Sequence, residues 1–346
     1  VSQRPRLAAA LTFWLSAAPP PDIGMRILVL HLDLDSQAPP EIEDSILTAR
    51  QIRETLTKRG HEVSLAPFEP DYEKFSGVVT KAKPDIVFNM VEHALGQDQL
   101  SAVAPAYLEQ MGMPYTGGGA AAIVATCDKP FAKEIMRAAN LPTPDWSVGP
   151  AWHGLKADCR YIVKSATEDA SLGLDDDAVV MGDAVQARAK HCFETYGGRW
   201  FAEAYVEGRE FNISIIEDGG QLRVLPLAEI RFVDWKPGKA RIVGYSCKWD
   251  DSSEESTHTA RCFGVEEEAP ELAAELSRLT RETFMLFGNR GFARIDFRVD
   301  EAGRPLILEV NPNPSLDVDA GFAAACAEAG YDYGNTLEKI IAAALQ

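Results

Sequence analysis

From Met25 onward the chain alternates short runs of consecutive apolar residues with longer segments whose apolar positions recur at helical spacing. Met25-Arg26-Ile27-Leu28-Val29-Leu30-His31 has the form of a first parallel strand buried on both faces. Across residues 45–59, Ile46, Ala49, Ile52 and Leu56 share one helical face, basic residues close the segment and Gly60 stops it. Strands are expected over 61–65 and 85–90, and the glycine-rich turn 112–119 marks an edge between units. A helix over 129–139 is broken by Pro142-Thr143-Pro144, and the next strand is 161–164. A smaller mixed unit runs to about Glu203. It is followed by long strands over 210–216 and 223–229, a polar loop, a helix near 271–287 and two further strands. No internal repeat is visible. The pattern predicts an α/β (α+β) protein whose first unit is an open parallel sheet.

At 346 residues the chain exceeds what one hydrophobic core usually organises, so two or three domains are expected. Residues 1–24 stand apart. Arg4 and Arg6, the apolar stretch Leu7 to Leu15, Ser16-Ala17-Ala18 and Pro19-Pro20-Pro21 follow the order of a secretory signal. Three readings of this leader are open: a translated or misassigned upstream stretch, a disordered extension, or a signal. Its apolar part is too short for a bilayer, which needs about 20 residues, and no later segment is long enough, so no membrane partner is expected.

A hydrophobic content of 46% with 25% charged residues excludes wholesale disorder, a collagen-like repeat and a coiled coil. Asp plus Glu outnumber Lys plus Arg by 52 to 34, a formal charge of -18, and no basic run offsets it, so nucleic acid is not an expected partner. The same field repels nucleotides at long range. Any phosphate site must therefore be local, made of a few lysines, backbone N–H groups and cations. The six cysteines lie far apart with no Cys-x-x-Cys pair, which points to neither disulfides nor zinc and fits a reducing, cytoplasmic compartment.

The densest chemistry lies near the C-terminal end, where residues 294–299 and 305–312 flank the turn Asp300-Glu301-Ala302-Gly303-Arg304. A hairpin centred between Ala302 and Gly303 sets Asp296 opposite Glu309 and Arg294 opposite Asn311. All four then share one face, with Ile295, Leu308 and Val310 on the other. Facing carboxylates repel unless a cation lies between them. Two carboxylates and an amide oxygen are hard donors that suit Mg²⁺ or Mn²⁺ better than zinc, and Mg²⁺ usually keeps places for substrate phosphates, so the set also predicts a nucleotide. The plainer alternative is that Asp296 and Glu309 pair with Arg294 or Arg298 on a solvated sheet face. Lys164 ends an apolar strand before the small-residue loop 165–173, Lys129 stands near a helix start, and Lys248 opens a polar, lid-like stretch running to Arg261. Taken singly, each lysine also reads as an ordinary solvated charge.

In order and spacing these motifs resemble the ATP-grasp ligases, and among them the D-alanine:D-alanine ligases, from Met25 to the end. Gly112-Met113-Pro114-Tyr115-Thr116-Gly117 with Asp128-Lys129 resembles the family's passage between its first two domains. Lys164 with its loop resembles the phosphate-binding lysine and flexible loop, and residues 201–211 the adenine hinge. Residues 291–296 with 308–314 resemble the metal and catalytic strands. The resemblance implies a three-domain ATP-grasp fold: an N-terminal domain over 25–117, then central (118–203) and C-terminal (204–346) domains enclosing ATP. It implies that Lys129 and Lys164 hold phosphates with Ser171 nearby in the loop, that Glu203 and the backbone of Ala204 and Val206 bind adenine, and that Glu210 takes the ribose. Asp296, Glu309 and Asn311 would coordinate two Mg²⁺ ions. Lys248 would approach the transferring phosphate, Arg294 the acyl phosphate or the oxyanion, and Ser315 would offer a backbone donor. A homodimer is expected on the same ground.

The departures from the family fall mostly on amino-acid binding. His31-Leu32-Asp33-Leu34-Asp35-Ser36 replaces a Gly-Gly turn with its Ser and Glu, residues 89–96 replace a His-Gly turn, and Ala320 stands where a Ser is usual. Trp249 replaces a lid Tyr, and Asp169 and Ala170 occupy loop positions that favour Gly and Ser. The leading expectation is an ATP-dependent carboxylate–amine ligase acting on amino acids or short peptides, D-alanine not being required. The alternatives are D-alanyl-D-alanine synthesis for peptidoglycan and a nucleotide-binding regulator that has lost catalysis. Deleting residues 1–24 should leave folding intact; aggregation of the truncated chain under conditions where the full chain stays dispersed would refute this.

Overall fold

The structure, a computed structural model, describes residues 24–32, 40–169, 171–249 and 253–346, without the side chains of residues 40–44, 248 and 249. Strands β1 (Arg26–His31), β2 (Glu62–Pro67) and β3 (Ile86–Asn89) form a parallel sheet in the order β2-β1-β3. Alternate side chains of β1 serve two cores. Ile27 and Val29 pack with Ile52 and Leu56 of helix Pro40–Lys58, while Leu28 and Leu30 pack with Phe75 and Val79 of helix Tyr72–Ala82. Burial on both faces explains a strand without polar alternation. The first helix begins earlier than its apolar pattern indicates, at Pro40, a residue suited to an opening turn because it has no N–H to leave unpaired.

Strands β4 (Trp146–Val148), β5 (Arg160–Ser165), β6 (Val179–Met181) and β7 (Trp200–Ala204) form an antiparallel sheet in the order β4-β7-β5-β6. Helix Val185–Tyr196 packs on it through Val185, Ala189 and Cys192. A third sheet contains β8 (Gly208–Asp218), β9 (Gln221–Val224), β10 (Ala228–Phe232), β11 (Thr259–Cys262), β12 (Phe292–Asp300) and β13 (Pro305–Asn311). Its order is β11-β10-β8-β12-β13, with β9 also on β8. The single strand expected over 223–229 is two strands, because Pro226 between Leu225 and Leu227 cannot donate to a ladder.

The hairpin of β12 and β13 turns through Asp300 N–H to Arg304 C=O (3.1 Å) and Gly303 N–H to Asp300 C=O (2.9 Å), with Gly303 at φ +77°. Near the turn Phe297 faces Ile307 and Arg298 faces Leu306. A bulge then shifts the register, so that Asp296 faces Glu309, Ile295 faces Val310 and Arg294 faces Asn311. The pairing expected for the polar face is present, but the place of Leu308 is not. Ile307 takes the core position and Leu308, the extra residue of the bulge, lines the cavity described below.

Helices Gly321–Glu328 and Tyr333–Ala344 close the molecule by inserting Phe322, Leu337 and Ile340 between Ile27 and Val29 of the first sheet and Ile216 and Phe292 of the third. The Phe322 and Phe292 rings meet edge to face at 5.1 Å. Among the described residues no helix is long and apolar enough to cross a membrane. Phe322→Ala should cost about 3–5 kcal/mol of stability by opening a cavity where two sheets share one core. Urea unfolding measures it, and a loss below about 1 kcal/mol would contradict that packing.

Candidate active site

A cavity of about 1260 Å³ opens between the second and third sheets and reaches the first. Ligand pockets commonly hold about 300–1,000 Å³, so there is room for a nucleotide and further substrate. Lys129, Lys164, Ser171, Glu203, Ala204, Val206, Glu210, Arg294, Asp296, Glu309, Asn311 and Ser315 all line it. Of the residues singled out in the sequence, the Lys248 side chain lies outside the described part, although its backbone belongs to the short helix Tyr245–Trp249. Asp33 to Ser36 and Ala170 also lie outside it.

Lys129 opens the helix Lys129–Ala138, which Asp128 caps by accepting the Phe131 N–H at 3.1 Å. Its ammonium donates to the Glu168 carbonyl (3.0 Å) and to Asp169 Oδ1 (2.7 Å). Burial acts to lower its pKa, but Asp169 and then Glu309 outweigh burial and raise it, so the charge is kept. One turn further along the same face stands Lys133, fully buried. Lys133 pairs with Glu203 Oε2, and Lys164 donates to Glu203 Oε1 at 2.7 Å. Lys164 on β5 lies opposite Phe201 and diagonal to Glu203 on β7, which places both side chains on the cavity face. Burial alone would push the Glu203 carboxyl up; the two ammonium groups together hold it below the usual carboxylate range. Lys133 is pushed down by burial despite Glu203. Lys133 also donates to Thr143 Oγ1 (2.8 Å), whose hydroxyl donates to the Ile307 carbonyl of β13 (2.8 Å), joining the helix to the second and third sheets.

The loop after Lys164 wraps round Ser165 Oγ, which accepts the Thr167 and Glu168 N–H groups. Ser171, at φ +62°, donates to the Val243 carbonyl at 3.0 Å. Gly173 must be glycine, since a Cβ there would sit 2.6 Å from the Trp200 ring.

On the opposite wall Arg294 forms a fork with Asp296, Nε to Oδ1 and Nη2 to Oδ2, both 2.8 Å. Pairing with Arg294 is therefore realised, but on a buried cavity wall and not on a solvated face: Asp296 is 6% exposed. Burial pushes its carboxyl up to about 6 against the pull of Arg294, with Glu309 adding to the rise. Glu210 is held by Arg298 at 2.8 Å. Among the described residues no three His, Cys, Asp or Glu side chains form a metal cluster. The donor set here is two facing carboxylates with the Asn311 amide beside them, its Nδ2 3.5 Å from Asp296 Oδ2. Such hard oxygen donors fit Mg²⁺.

Sequence reading passed over Lys133, Asp98 and Arg261. Lys133 carried a signal, its four-residue spacing from Lys129 along one helix. Asp98 carried none: it opens the 3₁₀ turn Asp98–Ala102, and only folding lets it accept the Asp169 N–H at 2.6 Å. Its carboxyl is pushed up to about 7 by burial and by the Asp169 charge.

The family model described as D-ala D-ala ligase C-terminus matches residues 156–342. A D-alanine–D-alanine ligase of Laribacter hongkongensis is 30% identical over 311 residues, which cover 88% of this chain and 92% of that protein. An uncharacterized Sinorhizobium fredii protein, y4sG, is 28% identical over 309 residues, covering 87% and 86%. Among solved structures, the Bacillus anthracis D-alanine–D-alanine ligase complexed with ATP superposes with a TM-score of 0.72 at 22% identity, covering 93% of this chain and 98% of that one, so the fold is shared. With more than half its length matched by the family model, and a relative at 30% identity along most of the rest, the chain belongs to the D-alanine–D-alanine ligase family of ATP-grasp proteins.

Proposed function

We propose that the protein is an ATP-dependent ligase that joins two amino acids through an acyl phosphate. The observation that carries this reading is the meeting, in one cavity, of Lys129 and Lys164 with Asp296, Glu309 and Asn311. Lysine ammonium groups facing hard oxygen donors across the cavity suit a triphosphate between them. Lys129 and Lys164 bind phosphate oxygens, and Ser171, its hydroxyl tied to the Val243 carbonyl, fixes the loop beside them. Glu203, Ala204 and Val206 border the base, and Glu210, fixed by Arg298, borders the ribose.

In the first step a substrate carboxylate oxygen bonds to the γ-phosphorus while the bond to the β-phosphate oxygen breaks, giving an acyl phosphate and ADP. In the second, an amine adds to the acyl carbon, the nitrogen gives up a proton and inorganic phosphate leaves. Arg294, locked by its fork to Asp296, presents its remaining N–H groups to negative charge on the acyl oxygens. Lys248 and the Ser315 backbone are assigned to the transferring phosphate and the acyl group on family resemblance. Mg²⁺ would be held by Asp296, Glu309 and Asn311, and when bound would supply positive charge to the phosphates.

Relatives named D-alanine–D-alanine ligase put D-alanine first among the substrates to test. The chain divides, in this reading, at 117/118 and 203/204, works in the cytoplasm and pairs as a homodimer. With ATP and Mg²⁺ the purified protein should release phosphate only with a proper amino-acid pair, D-alanine first in a panel of D- and L-amino acids; absence of release with every pair would refute the ligase reading. Glu309→Gln should lower kcat by about 10²–10³-fold. Unchanged turnover would sink the assignment of Glu309.

A further inference from the structure

The cavity extends beyond the phosphate-binding lysines to an end enclosed by helix Pro40–Lys58 and the loop after β13. Ser45, Thr48, Asp317, Ala320 and Gly321 line that end. It is equipped for a polar ligand: the Ser45 hydroxyl is buried and has no hydrogen-bond partner among the described residues. Arg261 of β11 also faces this end. Period-2 alternation puts it on the cavity side together with Thr259, and both line the cavity.

Three observations set Arg261 apart from the other cavity arginines. First, Arg294 is locked to Asp296 and Arg298 to Glu210, whereas Arg261 makes no ion pair with any described carboxylate. Its one hydrogen bond is from Nη1 to the Asp319 carbonyl, at 3.2 Å. Second, the guanidinium lies beside Gly321, where a Cβ would come into van der Waals contact with its Nε and Nη2 at 3.9 Å, and neither Ala320 nor Gly321 carries a side chain that could hydrogen-bond to it. Third, the Arg261 side chain is exposed to the cavity; partial desolvation and the neighbouring Arg294 charge lower its pKa from the ordinary value, opposed only by the nearby Asp319 carboxylate, with which it forms no ion pair. A guanidinium stays protonated under such pressure, so the arrangement favours an incoming anion.

The anion's identity follows from the chemistry. The carboxylate of the first substrate is consumed when it is phosphorylated between the lysines and the acidic strands. The carboxylate of the amine-bearing substrate survives the reaction, and a planar guanidinium matches its two oxygens. Resting on the ligase reading above, we propose that Arg261 is a specificity-determining residue that binds the free carboxylate of the amine-donating substrate. It gives this enzyme a charged anchor where the loop offers only Ala320 and Gly321.

The test uses the full chain, with Arg261→Gln and Arg261→Lys checked for unchanged melting temperature. Binding of D- and L-amino acids and of their carboxamides is measured by calorimetry in the presence of a non-hydrolysable ATP analogue and Mg²⁺, alongside phosphate release. The wild type should prefer the best-bound free acid over its carboxamide. Arg261→Gln should weaken that acid about tenfold or more while leaving the carboxamide and the KM for ATP unchanged, and Arg261→Lys should recover part of the loss. Equal binding of acids and carboxamides by the wild type, no binding of any probe, or a raised KM for ATP with unchanged acid binding, as an ATP-phosphate contact would give, overturns the proposal. Binding without phosphate release would instead count against the ligase reading and leave Arg261 to be judged by the acid-to-carboxamide ratio alone.

Discussion

Glu203 is a single carboxylate buried between two ammonium groups, and the arrangement around it holds the molecule's parts in register. Lys164 comes from its own sheet, Lys133 from a helix whose Ala132 and Met136 pack into the core of the third sheet, and Lys133 reaches through Thr143 to the backbone of β13. An unpaired charge at that depth would cost several kcal/mol, so each member of the group requires the others. Two cations on one anion also leave a net positive charge on the cavity wall, and Lys129 stands one helical turn away. An attractive field for phosphate is thus a by-product of the contact that joins the helix to two sheets.

That local field matters because the chain as a whole carries a formal charge of -18. A water-filled surface screens charges more than about 10 Å apart, whereas charges inside a cavity act at nearly full strength on what enters. Part of the surface acid is occupied in short-range pairs, such as Glu275 and Glu282 with Arg278 or Asp218 with Lys339. Both walls of the cavity carry both signs in close pairs: Lys164 with Glu203 on the wall built from the second sheet, Arg294 with Asp296 and Arg298 with Glu210 on the wall built from the third, and the loop carboxylate of Asp169 lying against Lys129.

The bulge in the β12–β13 hairpin shows how backbone irregularity serves the site. Near the turn the strands pair one step out of the register found at the acidic residues, and Leu308 absorbs the difference. Without that extra residue Asp296 would face Leu308, and Glu309 would point to the opposite side of the strand. The bulge therefore aligns the two carboxylates and at the same time places an apolar side chain in the cavity.

Much was legible from the chain alone. Continuous apolar runs marked the parallel strands, and alternation along β12 put Arg294 and Asp296 on one face, because local periodicity fixes which face a side chain takes, whereas the pairing of Asp296 with Glu309 depends on the bulge. The order of the lysine, hinge and acidic motifs carried the family. What the sequence did not reveal was what its local rules do not contain. Pro226 splits a strand that hydrophobicity would continue, and Leu308 leaves the core for the cavity. Asp98 meets Asp169, Lys133 meets Glu203 and Arg261 forms no ion pair with a described carboxylate, outcomes set by segments far apart in the chain. Side-chain direction follows from a period of two or 3.6 residues, but which charge is desolvated, and by which partner it is balanced, is decided only when three sheets close on one cavity.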